Sequence, residues 1–238
     1  MMDYKKILDA CEERKHLISM VPIERIVELG YNIDLNKDKT VLDLCCGYGE
    51  MLKLWSEAFG IKGTGVDRVS EFIETGKSRV NPEFVTLICG DVLKYNSIER
   101  FDVVLCTELT TGVFDNFEEG IAFLERFVKP GGTLIFGRLF SKIENPPQEL
   151  IDFDGELPTL VDIWRTIKRC GFHFTALATD THAEWERYIT SNAKETIEHF
   201  RRSPDDAKFA TWDDKWYRIY FEQRRQYEGW GLFAIEKL

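Results

Sequence analysis

Between residues 40 and 140, short apolar runs alternate with segments of helical periodicity, and this alternation restricts the possible folds more than any other feature. The apolar runs predict buried strands over residues 40–45, 61–66, 84–89, 101–106 and 133–140. The segments between them place apolar side chains on one helical face, as Met51, Leu54 and Trp55 do. Strands that alternate with helices form a parallel sheet covered on both faces. We therefore expect a doubly wound α/β fold.

The C-terminal part of the chain extends this sheet. Residues 172–178 and 230–236 predict a sixth and a seventh strand. Between them, two helical patterns predict a helical cover over residues 182–227. Residues 1–38 predict N-terminal helices. The whole chain, residues 1–238, is thus expected to form one domain with a mostly parallel seven-stranded sheet and a helical insertion between strands six and seven.

Charge and composition exclude several functional classes. The formal net charge is −10, and no basic stripe interrupts it, so a nucleic-acid partner is disfavoured. No apolar run approaches the length of a membrane span, and the charged start lacks the core of a signal peptide, so we expect a cytoplasmic protein without a membrane partner. The six cysteines form no C-x-x-C pair and the four histidines are scattered, so no metal site is expected.

Three acids stand near the ends of the first three strands. Asp43, Asp67 and Asp91 follow one another at intervals of 24 residues, which is one strand and one helix per step. Because the carboxyl ends of parallel strands meet at one edge, these side chains are expected to face one cleft, where ligands of such sheets bind. The neighbouring strand-end positions become candidates for the same cleft: Cys45, Arg68, Gly90, Val92, Cys106 and Thr107.

The loop after the first strand, G-Y-G-E-M-L, limits the ligand. A dinucleotide fingerprint would carry a third glycine where Leu52 stands, and no G-K-[ST] follows as in a P-loop. Asp43 and Glu50 would repel a pyrophosphate. An adenosine-like, positively charged ligand without phosphates suits the loop, and S-adenosylmethionine has these properties. Gly47 and Gly49 would let the backbone approach it closely.

In this interpretation the acids also have roles in binding the nucleoside. Asp67 is placed to accept hydrogen bonds from both ribose hydroxyls. Asp91, after Gly90, is placed to accept one from the adenine amino group.

The motifs D-L-C-C-G-Y-G, V-D, G-D-V and K-P-G-G, in this order and spacing, resemble those of class I S-adenosylmethionine-dependent methyltransferases. The resemblance covers residues 40–140. It implies that Asp43 and Gly47 lie near the methionine moiety, Asp67 near the ribose, and Asp91 and Val92 around the adenine. It also implies that the backbone at positions 106 and 107 meets the ammonium group. The sequence departs from the family at Cys45, where glycine is usual.

A narrower resemblance extends over almost the whole chain. The segments G-E-M-L-K-L-W, E-W-E-R-Y, S-P-D-D and G-W-G-L-F-A resemble a bacterial group of methyltransferases related to small-molecule enzymes. This resemblance implies the cofactor more directly than the acceptor.

The acceptor is predicted to be a small molecule bound beneath the cover. Arg187 and Tyr188 begin the cover and are the candidates to face the acceptor. Arg138, in the fifth strand, is a candidate to anchor an acidic substrate, with a structural ion pair as its alternative. Glu108, after the fourth strand, is the candidate general base; its alternatives are a solvated loop acid and a pocket charge that binds a cationic acceptor. The run N-P-P-Q at 145–148 lacks the aromatic residue and the position of an amino-methyltransferase motif and predicts a turn.

Other functions remain open from the residues alone. RNA methylation is supported only by the shared fold, and the acidic charge opposes it. A non-catalytic module that binds S-adenosylmethionine is consistent with a cofactor site that has no proven base. Metalloid methylation through Cys45, Cys46 and Cys106 would need clustered thiols, and Cys46 is interpreted as a packed thiol. An NAD-dependent oxidoreductase fits least well.

Overall fold

The computed structural model describes residues 16–107, 113–114 and 116–238, apart from the side chain of residue 195. Its elements, in chain order, are α1 (Ile23–Asn32), β1 (Thr40–Leu44), α2 (Glu50–Phe59), β2 (Lys62–Asp67), α3 (Ser70–Lys77), β3 (Val85–Cys89), a 3-10 turn (Val92–Lys94), β4 (Phe101–Cys106), α4 (Phe117–Glu125), β5 (Val128–Ser141), α5 (Gln148–Asp154), α6 (Leu160–Arg169), β6 (His173–Thr179), α7 (His182–Arg202), α8 (Ala207–Ile219), a π-helical turn (Tyr220–Arg224), α9 (Arg225–Tyr227) and β7 (Glu228–Glu236).

The strands form one seven-stranded sheet in the order β3-β2-β1-β4-β5-β7-β6. The pairs among β1 to β5 are parallel, and β7 lies antiparallel between β5 and β6. The predicted doubly wound, mostly parallel fold is therefore confirmed. Because β5 and β6 both run antiparallel to β7, the carboxyl end of β6 lies at the same edge as those of β1 to β5.

Apolar side chains pack on both faces of the sheet, as the alternation of strand side chains requires. Val41, Val103 and Ile135 belong to the cluster beneath α1, α2 and α3. Leu42 and Val104, one residue further along their strands, belong to the cluster that contains α4 and α6. These two clusters hold the carboxyl edge of the sheet in place for a ligand.

The N-terminal segment is attached to the first of these clusters. The indole of Trp55, which is fully buried, donates to the carbonyl of Ile26 at 3.0 Å. This bond fixes α1 against α2. Of the predicted N-terminal helices, only α1 lies within the described residues, since residues 1–15 are outside them.

The start of one strand differs from the expected position. The fifth strand was expected over residues 133–140, after K-P-G-G. In the structure α4 ends at Glu125, and β5 already begins at Val128, where it pairs with Phe101. The register of this pair shifts between Phe101 and Val103, and Gly131 has φ 71°, so the glycines bend the strand rather than precede it.

The segment between β6 and β7 consists of helices. It begins at the carboxyl end of β6 and returns through the π-helical turn to β7, whose first residue lies at the same edge. The topology therefore places the start and the end of this segment at the ligand-binding edge of the sheet. No helix among the described residues is long and apolar enough to cross a membrane.

Candidate active site

A cavity of about 430 Å³ lies at the carboxyl ends of β1, β2 and β4. One side, which we call the floor, comes from the sheet, the glycine loop, α2 and α3. Its residues are Asp43, Cys45, Cys46, Gly47, Tyr48, Glu50, Met51, Asp67, Phe72 and Thr107. The other side, which we call the roof, comes from the N-terminal segment and α7. Its residues are His16, Leu17, Ile18, Arg187, Tyr188, Ser191 and Asn192.

The glycine loop has three residues in the left-handed region. Cys45, Gly47 and Gly49 have φ values of 67°, 54° and 74°. At Gly49 a Cβ atom would come within 2.8 Å of Leu87, so only glycine fits there. The sequence motif thus encodes a tight turn that exposes backbone to the cavity.

Cys45 is a non-glycine residue that adopts this conformation. Its amide donates to the carbonyl of Val66 at 2.8 Å, and that bond holds the turn against β2. A left-handed backbone costs an L-residue about 1–2 kcal/mol. Cys45 therefore adopts a conformation that glycine would adopt more easily, and its Cβ adds strain to the turn.

Asp67 braces the loop through both carboxylate oxygens. Oδ2 accepts from the amide of Gly47 at 2.8 Å, and Oδ1 accepts from the amide of Val69 at 2.9 Å. The carboxylate is almost completely buried. Removing it would leave two backbone donors without their acceptor.

Asp43 lies beneath the loop with 2% of its surface exposed, and its Oδ1 has no hydrogen-bond partner. Burial, and then the neighbouring charge of Asp67, raise the pKa of Asp43 well above its ordinary value. A cation in the cavity would reverse this effect by favouring the carboxylate. The buried carboxyl group of Asp43 therefore favours the binding of a positively charged ligand.

The third acid of the floor already has a partner. Glu50 pairs with Arg79 at 2.5 Å, and both side chains are mostly buried. Its contribution to the field in the cavity is thus compensated, and Asp43 and Asp67 carry the acidic character of the floor.

Cys46 is a packed thiol, as the sequence suggests. A Cβ atom added at Gly65 would lie 2.8 Å from its sulfur, which shows how closely the thiol fits against β2. Burial, followed by the charges of Asp43 and Asp67, raises the pKa of the Cys46 thiol. The thiol therefore stays protonated and has low nucleophilicity. Among the described residues, no group of three or more metal-ligating side chains is placed to hold a metal.

The roof is joined across its two segments. Arg187 pairs with Glu184 at 2.6 Å and donates to the carbonyl of Ser19 at 2.5 Å. The amide of Thr181, the cap of α7, donates to the carbonyl of Met20 at 3.3 Å. The N-terminal segment and α7 thus cover the floor as one connected layer.

Seven of the predicted site residues line the cavity: Asp43, Cys45, Gly47, Asp67, Thr107, Arg187 and Tyr188. The others that the structure describes are Gly49, Arg68, Gly90, Asp91, Val92, Cys106 and Arg138, and none of these is part of its lining. The predicted base, Glu108, lies outside the described residues.

Three of these residues have visible structural contacts elsewhere. Asp91 caps the 3-10 turn by accepting from the amide of Leu93 at 3.0 Å, and Val92 is buried in the core. Arg138 points to the opposite face of the sheet, where its guanidinium lies 4.7 Å from the ring centroid of Phe117. Among the residues that the structure describes, Arg138 has no ion pair, and the Nη1 of this half-buried cation has no hydrogen-bond partner.

Sequence reasoning missed several lining residues, among them His16, Tyr48, Phe72, Ser191 and Asn192. Ser191 and Asn192 follow Arg187 and Tyr188 at helical spacing, so the periodicity of α7 contained a usable signal. No sequence pattern indicates that Phe72 and His16 belong to the site, since only the packing brings them to the glycine loop.

The chain is similar to known methyltransferases over different lengths. A family model described as a methyltransferase domain matches residues 41–132. YjhP of Escherichia coli, an uncharacterised protein, is 27% identical, with 98% of this chain and 99% of YjhP covered. Its crystal structure superimposes with a TM-score of 0.84 at 26% identity and covers 95% of this chain and 97% of that one.

Two further relatives carry functional names. A methyltransferase from Geobacter sulfurreducens, crystallised with S-adenosylhomocysteine, has a TM-score of 0.85 at 25% identity and complete coverage of both chains. Phosphoethanolamine N-methyltransferase of Plasmodium falciparum is 23% identical over 94% of this chain and 88% of its own length. Together with the sheet order, the left-handed glycine loop and the acidic floor, these similarities identify the chain as a class I S-adenosylmethionine-dependent methyltransferase.

Proposed function

We propose that the protein transfers a methyl group from S-adenosylmethionine to a small-molecule acceptor that binds between the floor and the roof. The observation that carries this proposal is the roof itself. Tyr188, Ser191 and Asn192 of α7 face the same cavity as Asp43 and Gly47 of the floor. A cavity covered in this way admits a small ligand and excludes bulk water.

The residues of the floor fit the cofactor. S-Adenosylmethionine supplies a methyl group activated by a sulfonium, which a nucleophile of the acceptor displaces. Asp43 has a buried, unpartnered oxygen beside the cavity, which fits a cationic methionine moiety. The turn at Gly47 and Gly49 lets the backbone approach closely, and Asp67 holds that turn. Asp67 is proposed to accept hydrogen bonds from the ribose hydroxyls as well. Much of the rate enhancement in such a site comes from positioning.

The remaining assignments follow the family resemblance. Thr107 and the backbone at Cys106 are proposed to meet the ammonium group, and Arg68, Gly90, Asp91 and Val92 to surround the adenine. The last four lie beyond the cavity's lining, so this part of the proposal extends the ligand along the edge of β2 and β3. Glu108 stays a prediction for the general base, and Arg138 stays one for an acidic acceptor group.

Two further observations support a small acceptor over a macromolecule. The net charge of −10 disfavours the phosphate contacts on which nucleic-acid binding depends. The relative from Plasmodium falciparum, which matches most of the chain, is named for a small-molecule acceptor.

Product formation from fractionated extracts tests the proposal. S-Adenosylhomocysteine is measured after incubation of the protein and S-adenosylmethionine with either the small-molecule filtrate or the macromolecular retentate of a bacterial extract. We expect product with the filtrate only, and its loss in Asp67→Ala. Glu57→Ala is the matched control, because Glu57 is an exposed acid on α2 outside the cavity. Product with the retentate alone would contradict the proposal.

A further inference from the structure

We propose that the methyl acceptor is a small amine that binds as its ammonium ion, with the positive charge held against the rings of Tyr48, Phe72 and Tyr188. The ammonium ion loses one proton to solvent, and the nitrogen lone pair then displaces the methyl group from the sulfonium of S-adenosylmethionine. This inference rests on the proposed function and specifies its substrate class. It depends on the arrangement of rings and charges in the cavity.

Two of the rings form a corner on the floor. The ring centroids of Tyr48 and Phe72 lie 4.5 Å apart with their planes at 45°. The ring of His16 contacts Tyr48 from the roof, edge to face, at 5.0 Å and 89°. Tyr48 is therefore held between two neighbours in the tight turn of the glycine loop, and its position is well determined.

The third ring comes from the roof. Tyr188 packs edge to face against Trp185 at 6.1 Å and 84°. Trp185 is itself buried and donates from its indole to Asp180 at 2.5 Å. Tyr188 therefore has a rigid support behind it and presents its ring to the cavity that Tyr48 and Phe72 line from the other side. Aromatic faces on two sides of a pocket attract cations through the ring quadrupole.

The charges that line the cavity favour the same class of ligand. Asp43 and Asp67 lie on the floor, where the proposed function assigns them to the cofactor, so they contribute to the field around the acceptor rather than contact it. Among the described residues of the lining, Arg187 is the one arginine or lysine, and its charge is matched by Glu184 at 2.6 Å. Along this described part of the lining an anionic acceptor would meet no uncompensated lysine or arginine, whereas a cation would meet a negative field.

The experiment uses a matched pair of ligands that differ in charge. Choline and its neutral carbon isostere, in which a tert-butyl group replaces the trimethylammonium group, are titrated by calorimetry into protein saturated with S-adenosylhomocysteine. We expect choline to bind about tenfold more tightly, which is the size of effect that a desolvated cation–π contact gives. Equal affinities, or no binding of either ligand, would overturn the inference.

Variants of Tyr188 test the role of the ring. Tyr188→Leu is expected to abolish the preference for choline, and Tyr188→Phe, which keeps the ring and removes the hydroxyl, is expected to retain it. The affinity of each variant for S-adenosylhomocysteine is measured first, so that every titration uses protein saturated with it. A retained preference in Tyr188→Leu would overturn the inference. If wild-type protein failed to bind S-adenosylhomocysteine, the proposed function would fail as well, so the two failures are distinguishable.

Discussion

The floor and the roof of the cavity are built by different kinds of interaction. The floor consists of backbone in the left-handed region and two buried acids, and its hydrogen bonds join Gly47, Asp67 and Val69, which lie close together at the ends of β1 and β2. The roof consists of side chains from segments far apart in the sequence, joined by the contact of Arg187 with Ser19. A site with a local, strained floor and a long-range roof can keep its cofactor chemistry while its acceptor changes.

The largest expected effect comes from removing the carboxylate of Asp67, which holds the glycine loop of the floor. In Asp67→Ala the amides of Gly47 and Val69 lose their acceptor, which costs about 1–3 kcal/mol for each buried donor. We expect the affinity for S-adenosylhomocysteine, measured by calorimetry, to fall by about 100-fold. Asp67→Asn keeps one acceptor oxygen and should lie between wild type and alanine. An unchanged affinity in Asp67→Ala would show that the carboxylate does not organise the loop.

The next effect concerns an ion-pair cluster outside the cavity, where the helical segment between β6 and β7 returns to the sheet. Arg224 pairs with Asp154 and with Glu228, whose Oε2 lies 3.0 Å from its Nε, and Arg224 and Glu228 are both buried. Burial, and then the charge of Asp154, raise the pKa of Glu228 from 4.5 to about 7. Because the folded state binds this proton more tightly than the unfolded state, the stabilisation is complete below pH 4.5 and is lost as the pH rises through 7.

We therefore expect the free energy of unfolding to decrease by about 2 kcal/mol between these limits. Urea denaturation at a series of pH values measures it. Glu228→Gln should flatten this part of the profile, while Glu222→Gln, a change at an exposed acid of the π-helical turn that contains Arg224, should leave it as it is. A profile that keeps its slope in Glu228→Gln would exclude Glu228 as the source.

A smaller effect concerns the charge of Asp43 on the floor and its influence on the affinity for the cofactor. Burial and Asp67 hold the pKa of Asp43 high in the free protein, and a bound cation favours its carboxylate. The affinity for S-adenosylmethionine should therefore rise with pH as Asp43 loses its proton. In Asp43→Asn we expect the affinity above this transition to fall by about tenfold and its pH dependence to disappear. Calorimetry over a pH series would contradict this assignment if the variant retained the wild-type dependence.

The smallest effect relieves strain in the glycine loop. Cys45→Gly removes a Cβ atom from a residue at φ 67°, and we expect a gain of about 0.5–1 kcal/mol in the free energy of unfolding. Asp34→Gly is the matched control, since Asp34 has φ 55° in the turn between α1 and β1, away from the cavity. Both variants should gain stability, and the affinity for S-adenosylhomocysteine should stay within about twofold of wild type in both. A destabilised Cys45→Gly would show that the side chain stabilises the turn.

Residues whose role is local could be read from the sequence. The apolar runs and their helical connections predicted the parallel sheet, and the spacing of Asp43 and Asp67 placed both at its carboxyl edge. Close approach of the backbone was predicted from Gly47 and Gly49, whereas the left-handed conformation of Cys45 is known only from the structure. Alternating side chains and short-range hydrogen bonds produce these features, so a few neighbouring residues encode them.

The tertiary structure alone decided where K-P-G-G bends β5, which face Arg138 occupies and which aromatic rings reach the cavity. It placed His16 and Phe72 against Tyr48 through the packing of three separate segments. It also compensated Glu50 with Arg79, which lies 29 residues further along the chain. The sequence by itself determined the fold and the kind of cofactor, because both depend on periodicity and local turns. The roof, and the rings that line the cavity around the acceptor, depend on contacts between distant segments. Only the packing of these segments decides which side chains meet there.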